Sequence, residues 1–244
     1  MSAPEHQSSE DDLLCRMRAF VVITSQPSDP QAEKVQFSGF IPVVSNFDYL
    51  LGVPREQDLP IHVTYPNPSL QPVVDTDEPR PSFLQGTCVR VFGYLHIDYD
   101  REGKPHLSLA ATSVRPALED PSITESVGEP CIDCLVGVVT GIPVDRPECR
   151  VYNLRVFAGH CSCSDCVRTC WKGMTHHCWY DVYCVAFKSA RLVNSRWPQI
   201  NDACAVIGFI VGLYKAGDSV GPLIELGAMN ALPSPERRED SLLG

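Results

Sequence analysis

Residues 21–29 read VVITSQPSD, and residues 137–145, 116 positions later, read GVVTGIPVD. The two stretches share Val22 with Val138, Thr24 with Thr140, Pro27 with Pro143 and Asp29 with Asp145. Two further pairs keep the same order. Residues 89–94 (VRVFGY) match 204–209 (CAVIGF) at an offset of 115, each with a glycine inside an apolar run, Gly93 or Gly208, followed by an aromatic. Residues 105–116 (PHLSLAATSVRP) match 222–233 (PLIELGAMNALP) at an offset of 117, with Leu109/Leu226 and Ala111/Ala228 identical and Leu107/Ile224 similar. Three matches in one order at nearly constant spacing mark an internal duplication, and a chain of 244 residues is long enough for two units of about 100.

Each unit carries the signals of five strands. In the second, period-two or continuous apolar runs fall at 135–142, 150–158, 180–187, 203–214 and 223–232, with room for one short helix at 189–202, where Asn194 or Ser195 can cap RWPQIN. In the first they fall at 16–24, 34–44, 59–65, 87–98 and 106–115, and the connection 66–85, rich in proline, reads as loop. The 21 prolines break any long helical period.

Five strands with a helix between the third and fourth, a glycine inside the long fourth strand and a polar turn before the fifth resemble the OB-fold, a five-stranded Greek-key barrel. The resemblance covers residues 16–116 and 135–233 and rests on element order, not on a residue string. It implies an all-β protein of two tandem barrels. The organisation is a tail at 1–13, barrel one at 14–118, an acidic linker at 119–130, barrel two at 131–233 and a tail at 234–244. An immunoglobulin-like sandwich would need about seven strands per unit, and an SH3-like barrel shorter units.

Apolar residues make up 44% and charged residues 20%, a globular balance. The first twenty residues hold Glu5, Glu10, Asp11 and Asp12 and no apolar signal core, and the longest apolar run, 204–213, is too short to span a bilayer. The expectation is a soluble intracellular protein, nuclear or cytoplasmic, with no membrane partner. A net charge of −10 argues against coating nucleic acid by bulk electrostatics. The charge is uneven: residues 11–127 hold 9 Lys and Arg against 16 Asp and Glu, residues 128–232 hold 9 against 9. A polyanion is therefore expected on the second unit.

Twelve cysteines in a reducing compartment point to metal ligation before disulfides. Residues 160–178 read HCSCSDCVRTCWKGMTHHC, holding Cys161, Cys163, Cys166, Cys170, Cys178, His160, His176 and His177, and nothing in the first unit corresponds. Cys163 and Cys166 form a CxxC, a spacing with which one turn offers two thiolates, and Cys131 and Cys134 form another. In an OB barrel the loop between strands two and three lies near the start of strand one, so the two pairs can share a tetrahedral, structural zinc. A wholly local tetrad drawn from Cys161, Cys163, Cys166, Cys170, His176, His177 and Cys178 is the alternative, as is a loop of reduced thiols without metal. Neither an HxE…CxxC nor an HExxH pattern is present to suggest catalytic zinc. A zinc site inserted in an OB domain is similar to the architecture of the replication protein A family.

OB domains that hold single strands use strands two and three, with aromatics against bases and Arg or Lys along the backbone. In the second unit, Tyr152, Leu154 and Val156 alternate with Asn153, Arg155 and Phe157, and the first set reads as core. This leaves Arg155 and Phe157 outward, joined by Trp179, Tyr183, Phe187, Lys188 and Arg191 as candidates for stacking and phosphate contact. The first unit's second strand carries Phe37 and Phe40 but little positive charge, and reads as a scaffold. The functional expectation is a non-enzymatic protein that binds single-stranded nucleic acid, DNA ahead of RNA, with the zinc-stapled second unit as reader. The alternative is a protein-interaction subunit of a larger complex, its acidic first unit suited to a basic partner. No Ser/His/Asp order, phosphate-cradling loop or paired carboxylates mark an enzyme, and no small-molecule substrate is evident.

Overall fold

In the computed structural model, residues 15–25, 33–66, 83–99, 105–117, 130–158, 178–188 and 198–232 are described. The first five strands are β1 (Arg16–Ile23), β2 (Lys34–Val44), β3 (Glu56–Pro66), β4 (Cys88–Tyr99) and β5 (Pro105–Pro116), with a one-turn helix α1 (Asp48–Leu51) between β2 and β3. The next six are β6 (Cys131–Val139), a two-residue β7 (Val144–Asp145), β8 (Cys149–Ala158), β9 (Cys178–Phe187), β10 (Ala203–Ala216) and β11 (Ser219–Ala231).

Their pairing closes twice. β1 pairs with β2 and β4, β2 with β3, and β3 runs parallel to β5, which returns to β4. β6 pairs with β8 and β10, β8 with β9, and β9 runs parallel to β11, which returns to β10. Each circuit is a five-stranded Greek-key barrel with one parallel contact, the OB-fold. The ten strands read from alternation in the sequence are the ten barrel strands. α1 was not expected: four residues are too few to leave a periodic signal. Of the helix expected at 189–202, residues 189–197 lie outside the described residues, and 198–202 form a turn in which Asp202 Oδ2 accepts from the Gln199 amide at 2.9 Å.

Alternation also decides what is inside. On β1, Met17, Ala19, Val21 and Ile23 are buried, and on β8, Tyr152, Leu154 and Val156 are fully buried, as the period-two reading places them. The duplicated glycines occupy one structural position. A register shift lies between Phe92 and Gly93 on β4, and another between Ile207 and Gly208 on β10. At each, a Cβ would drive into a backbone carbonyl of the neighbouring strand, Ala110 O or Glu225 O. Only glycine fits a bulge pressed this close. The bulges also correct the third sequence match: Gly93 pairs with Ala111 and Gly208 with Leu226, so Ala111 is equivalent to Leu226 and the 117-residue alignment is two positions out.

The two circuits are fused. One edge of β1 pairs with β2 at Val22 and Ile23, but at Arg16 to Arg18 the same edge pairs with β6. β4, β1, β6 and β10 therefore form a shared sheet across the junction. On one side of that sheet, Met17 and Val91 of the first barrel belong to the same apolar cluster as Ile132, Leu135, Leu154 and Val206 of the second. A second, smaller cluster joins Phe47 and Val53, which flank α1, to Cys149, Val151, Tyr183, Val185, Val211 and Leu223. No helix among the described residues is long and apolar enough to cross a membrane.

Candidate nucleic-acid interface

The outward face of β8 and β9 is where the sequence places a strand-binding groove, and the first barrel reaches over one end of it. Phe47 stacks on Phe187 with ring centroids 4.8 Å apart and planes at 22°. Tyr183, 3% exposed, lies in the same cluster and meets Tyr214 edge-on at 5.1 Å. Tyr49 Oη donates to Glu148 at 3.1 Å, and the Leu213 amide donates to Gln57 Oε1 at 3.1 Å, so polar contacts rim the apolar ones. Tyr183 and Phe187 are thus taken up by the contact between the barrels. An apolar outward residue on a strand looks the same in sequence whether it awaits a base or a neighbouring domain.

Elsewhere on this face the described side chains include two exposed cations, Arg155 and Lys188. Arg155 is exposed and makes a two-point contact with Asp181, 3.1 Å from Nε and 3.4 Å from Nη2, which strengthens its hold on the proton. Asn153 Oδ1 beside it is buried and has no hydrogen-bond partner among the described residues. Phe157 and Trp179 are paired in register, but their side chains lie outside the described ones, as does Arg191. Lys188 is exposed, 3.5 Å from Asp145, and the same carboxylate takes the Arg150 guanidinium at 2.8 and 2.9 Å. The Arg150 hydrogen bonds hold the Asp145 carboxyl below its usual range.

Of the metal candidates, Cys161, Cys163, Cys166, Cys170 and His176 lie outside the described residues, and Cys178 opens β9 with its side chain undescribed. Cys131 and Cys134 sit on β6, on either side of an irregularity in its pairing with β1, not in a turn. Cys131 Sγ lies 3.6 Å from Asp133 Oδ1 and 4.0 Å from Arg18 Nη2. Gly137 pairs with Val156 and Val138 with Arg155, and continuing that register brings the end of β8 beside Leu135. Among the described residues no three Cys, His, Asp or Glu groups gather to hold a metal.

A second face carries the chemistry the sequence reading assigned elsewhere. With Met17, Ala19, Val89 and Val91 buried, Arg16, Arg18 and Phe20 of β1 and Arg90, Phe92 and Tyr94 of β4 share the opposite side of the sheet. Cross-strand pairing interleaves them: Arg16 faces Tyr94, Arg18 faces Phe92, and Phe20 faces Arg90, which also faces Arg115 on β5. The Arg16 guanidinium stands 5.9 Å from the Tyr94 ring centroid, a cation over an aromatic face. Arg18, with 59% of its side chain exposed, is 2.6 Å from Asp133. Arg90 is exposed and has no acidic partner among the described residues. No residue of β1, β4 or β5 whose side chain is described is acidic, while Glu33, Glu56 and Asp58 stand exposed on or beside β2 and β3. The signal was present in RMRAF and RVFGY, where Arg and aromatics alternate at the strand period. The acidic total of the first unit concealed it, because a sum over 117 residues says nothing about one face.

Two solved structures can be set beside this one: the wild-type single-stranded DNA binding protein from Thermus aquaticus, at 15% identity and a TM-score of 0.49 over 91% of this chain and 94% of that one, and a deletion variant of it, at 15%, 0.48, 91% and 95%. The fold assignment rests on the strand pairing and not on these scores. No family model and no curated protein matches the sequence, so nothing singles out the replication protein A family among OB-fold proteins.

Proposed function

We propose that the protein is a non-enzymatic binder of single-stranded nucleic acid, and that the outward face of β1 and β4 is its principal contact surface. The observation that carries this reading is the interleaving of Arg16, Arg18 and Arg90 with Phe20, Phe92 and Tyr94 on strands where no described side chain is acidic. A flexible single strand needs both parts: cations at the spacing of its phosphates, and flat apolar surfaces for bases that duplex pairing has not already stacked. The exposed cations of the β8–β9 face, Arg155 and Lys188, are a subsidiary contact in this reading.

Titration of the full chain with fluorescent oligothymidylate and oligouridylate at several salt concentrations tests the function. Binding should weaken steeply with salt, and replacing Arg90 by Ala should lower the slope of log K against log salt by about 0.7, the loss of one phosphate contact. Salt-insensitive or absent binding would sink it.

In the same reading the Cys/His-rich stretch 160–178 holds a structural zinc together with Cys131 and Cys134. What supports this is the register that sets the end of β8 beside the start of β6, next to Cys134. Elemental analysis of the purified chain tests it: one zinc per chain is expected, and none overturns it. The exposed Glu33, Glu56 and Asp58 favour a second reading for the β2–β3 side, a docking surface for a basic protein.

A further inference from the structure

The junction between the barrels gives the β1–β4 face a continuation. Arg18 pairs with Phe92 on one side and with Cys131 on the other, and Cys131 pairs in turn with Phe209 on β10. Phe92, Arg18, Cys131 and Phe209 are thus one cross-strand row running from the first barrel into the second. Three strand spacings of about 4.8 Å separate its ends, about 14 Å in all. Phe209 is 36% exposed and Ile207, two residues along the same strand, 48%, although Val206 and Ile210, which flank them, are buried. Two large apolar side chains therefore stand in water at the far end of a row that begins among arginines.

Charge gives this row a closed state. Among the described residues Asp133 is the one carboxylate in contact with Arg18, and it takes both Nε, at 3.0 Å, and Nη2, at 2.6 Å. Both N–H groups converge on the single oxygen Oδ1, and one phosphate oxygen can accept from the same two donors. Both partners are partly exposed, so the pair is weak and exchangeable. Beyond Phe209 the row continues to Glu225 on β11 and Val185 on β9.

We propose that the two barrels form one track for a single nucleic-acid strand, which crosses the β1–β6 junction and sets a base on Phe209 and Ile207, displacing Asp133 from Arg18 as it passes. This rests on the function proposed above and adds to it the second barrel's contribution and an internal competitor. Asp133 occupies the phosphate position when no strand is bound, and so sets the threshold for binding.

The test uses the full chain and fluorescein-labelled oligothymidylates of 5 and 15 nucleotides, read by anisotropy. Phe209→Ala should weaken binding of the 15-mer about tenfold, the loss of one stacked base, and leave the 5-mer nearly unchanged. Ile207→Thr keeps a β-branched residue on the strand and should weaken the 15-mer less, in the same direction. Asp133→Asn should tighten both oligonucleotides several-fold and steepen the salt slope by about 0.7, one more cation being free to meet phosphate. If Arg90→Ala weakens binding while Phe209→Ala, Ile207→Thr and Asp133→Asn leave both lengths at wild-type affinity, the track across the junction is overturned and the β1–β4 surface stands. If the wild type shows no salt-sensitive binding to either, both fail together.

Discussion

β8–β9 and β1–β4 are outward faces of the same architecture, one in each barrel, and they have opposite fates. On β8–β9 two described aromatics are taken up by the contact between the barrels: Phe187 stacks on Phe47, and Tyr183 is packed among Val151, Val185 and Leu223. On β1–β4 Phe20, Phe92 and Tyr94 are partly buried and alternate with arginines. The difference comes from α1. The turn that carries it projects Phe47 and Val53 from the first barrel onto the second, and among the described residues no equivalent projection reaches β1 and β4. A barrel wall gains its function partly from what the rest of the chain leaves uncovered.

The comparison breaks most sharply at Phe47. It is fully buried, and Phe47→Ala should destabilise the protein by about 4 kcal/mol through lost transfer energy and the cavity left on Phe187, visible as an earlier denaturant midpoint. A loss under about 1 kcal/mol would mean that the cover on β8–β9 is loose. Next come the paired bulges. Gly93→Ala and Gly208→Ala should each cost about 3 kcal/mol, because the added methyl meets backbone that cannot yield; equal costs measured by urea unfolding would show the two barrels to be energetically equivalent at that position.

The faces separate in binding. The triple change of Arg16, Arg18 and Arg90 to Ala should weaken oligonucleotide binding at low salt roughly a hundredfold, whereas Arg155→Ala, whose charge is already engaged by Asp181, should weaken it less than about threefold. The reverse order would move the principal surface to β8–β9. The smallest effect is in alkali. Burial pushes the Cys15 thiol up to about 12 from an ordinary value of 9.0, against a hydrogen bond with Tyr180 that pulls it down. The folded state therefore keeps a proton that the unfolded state releases: stability from this group is whole below pH 9 and is lost as pH rises toward 12. Roughly 1 kcal/mol should be gone by pH 10, and Cys15→Ala should flatten that decline in urea titrations taken from pH 8 to 10.

The barrels were legible because strand alternation and a duplicated glycine are local, and the physics that reads them is local too. RVFGY and CAVIGF mark two long fourth strands that each carry a glycine, and the register shifts at Gly93 and Gly208 show what the glycines are for. The parity of β8 was likewise readable from Tyr152, Leu154 and Val156. The site was less so. Whether Tyr183 meets solvent or a neighbour depends on Phe47, 136 residues earlier, and no periodicity couples the two. Arg18 facing Phe92 is a pairing fact, invisible until β1 and β4 are aligned. The zinc candidates at 160–177 lie outside the described residues.

The shared edge at β1–β6 has a consequence for handling the protein in pieces. Separated between its barrels, the chain would give two halves, each with one strand edge unpaired from Arg16 to Arg18 or from Cys131 to Cys134 and with part of a common apolar interior laid bare. Such halves should be sticky alone and recombine when mixed, which makes this fold a ready two-part reporter: neither fragment is a free-standing module, and each is the other's missing wall.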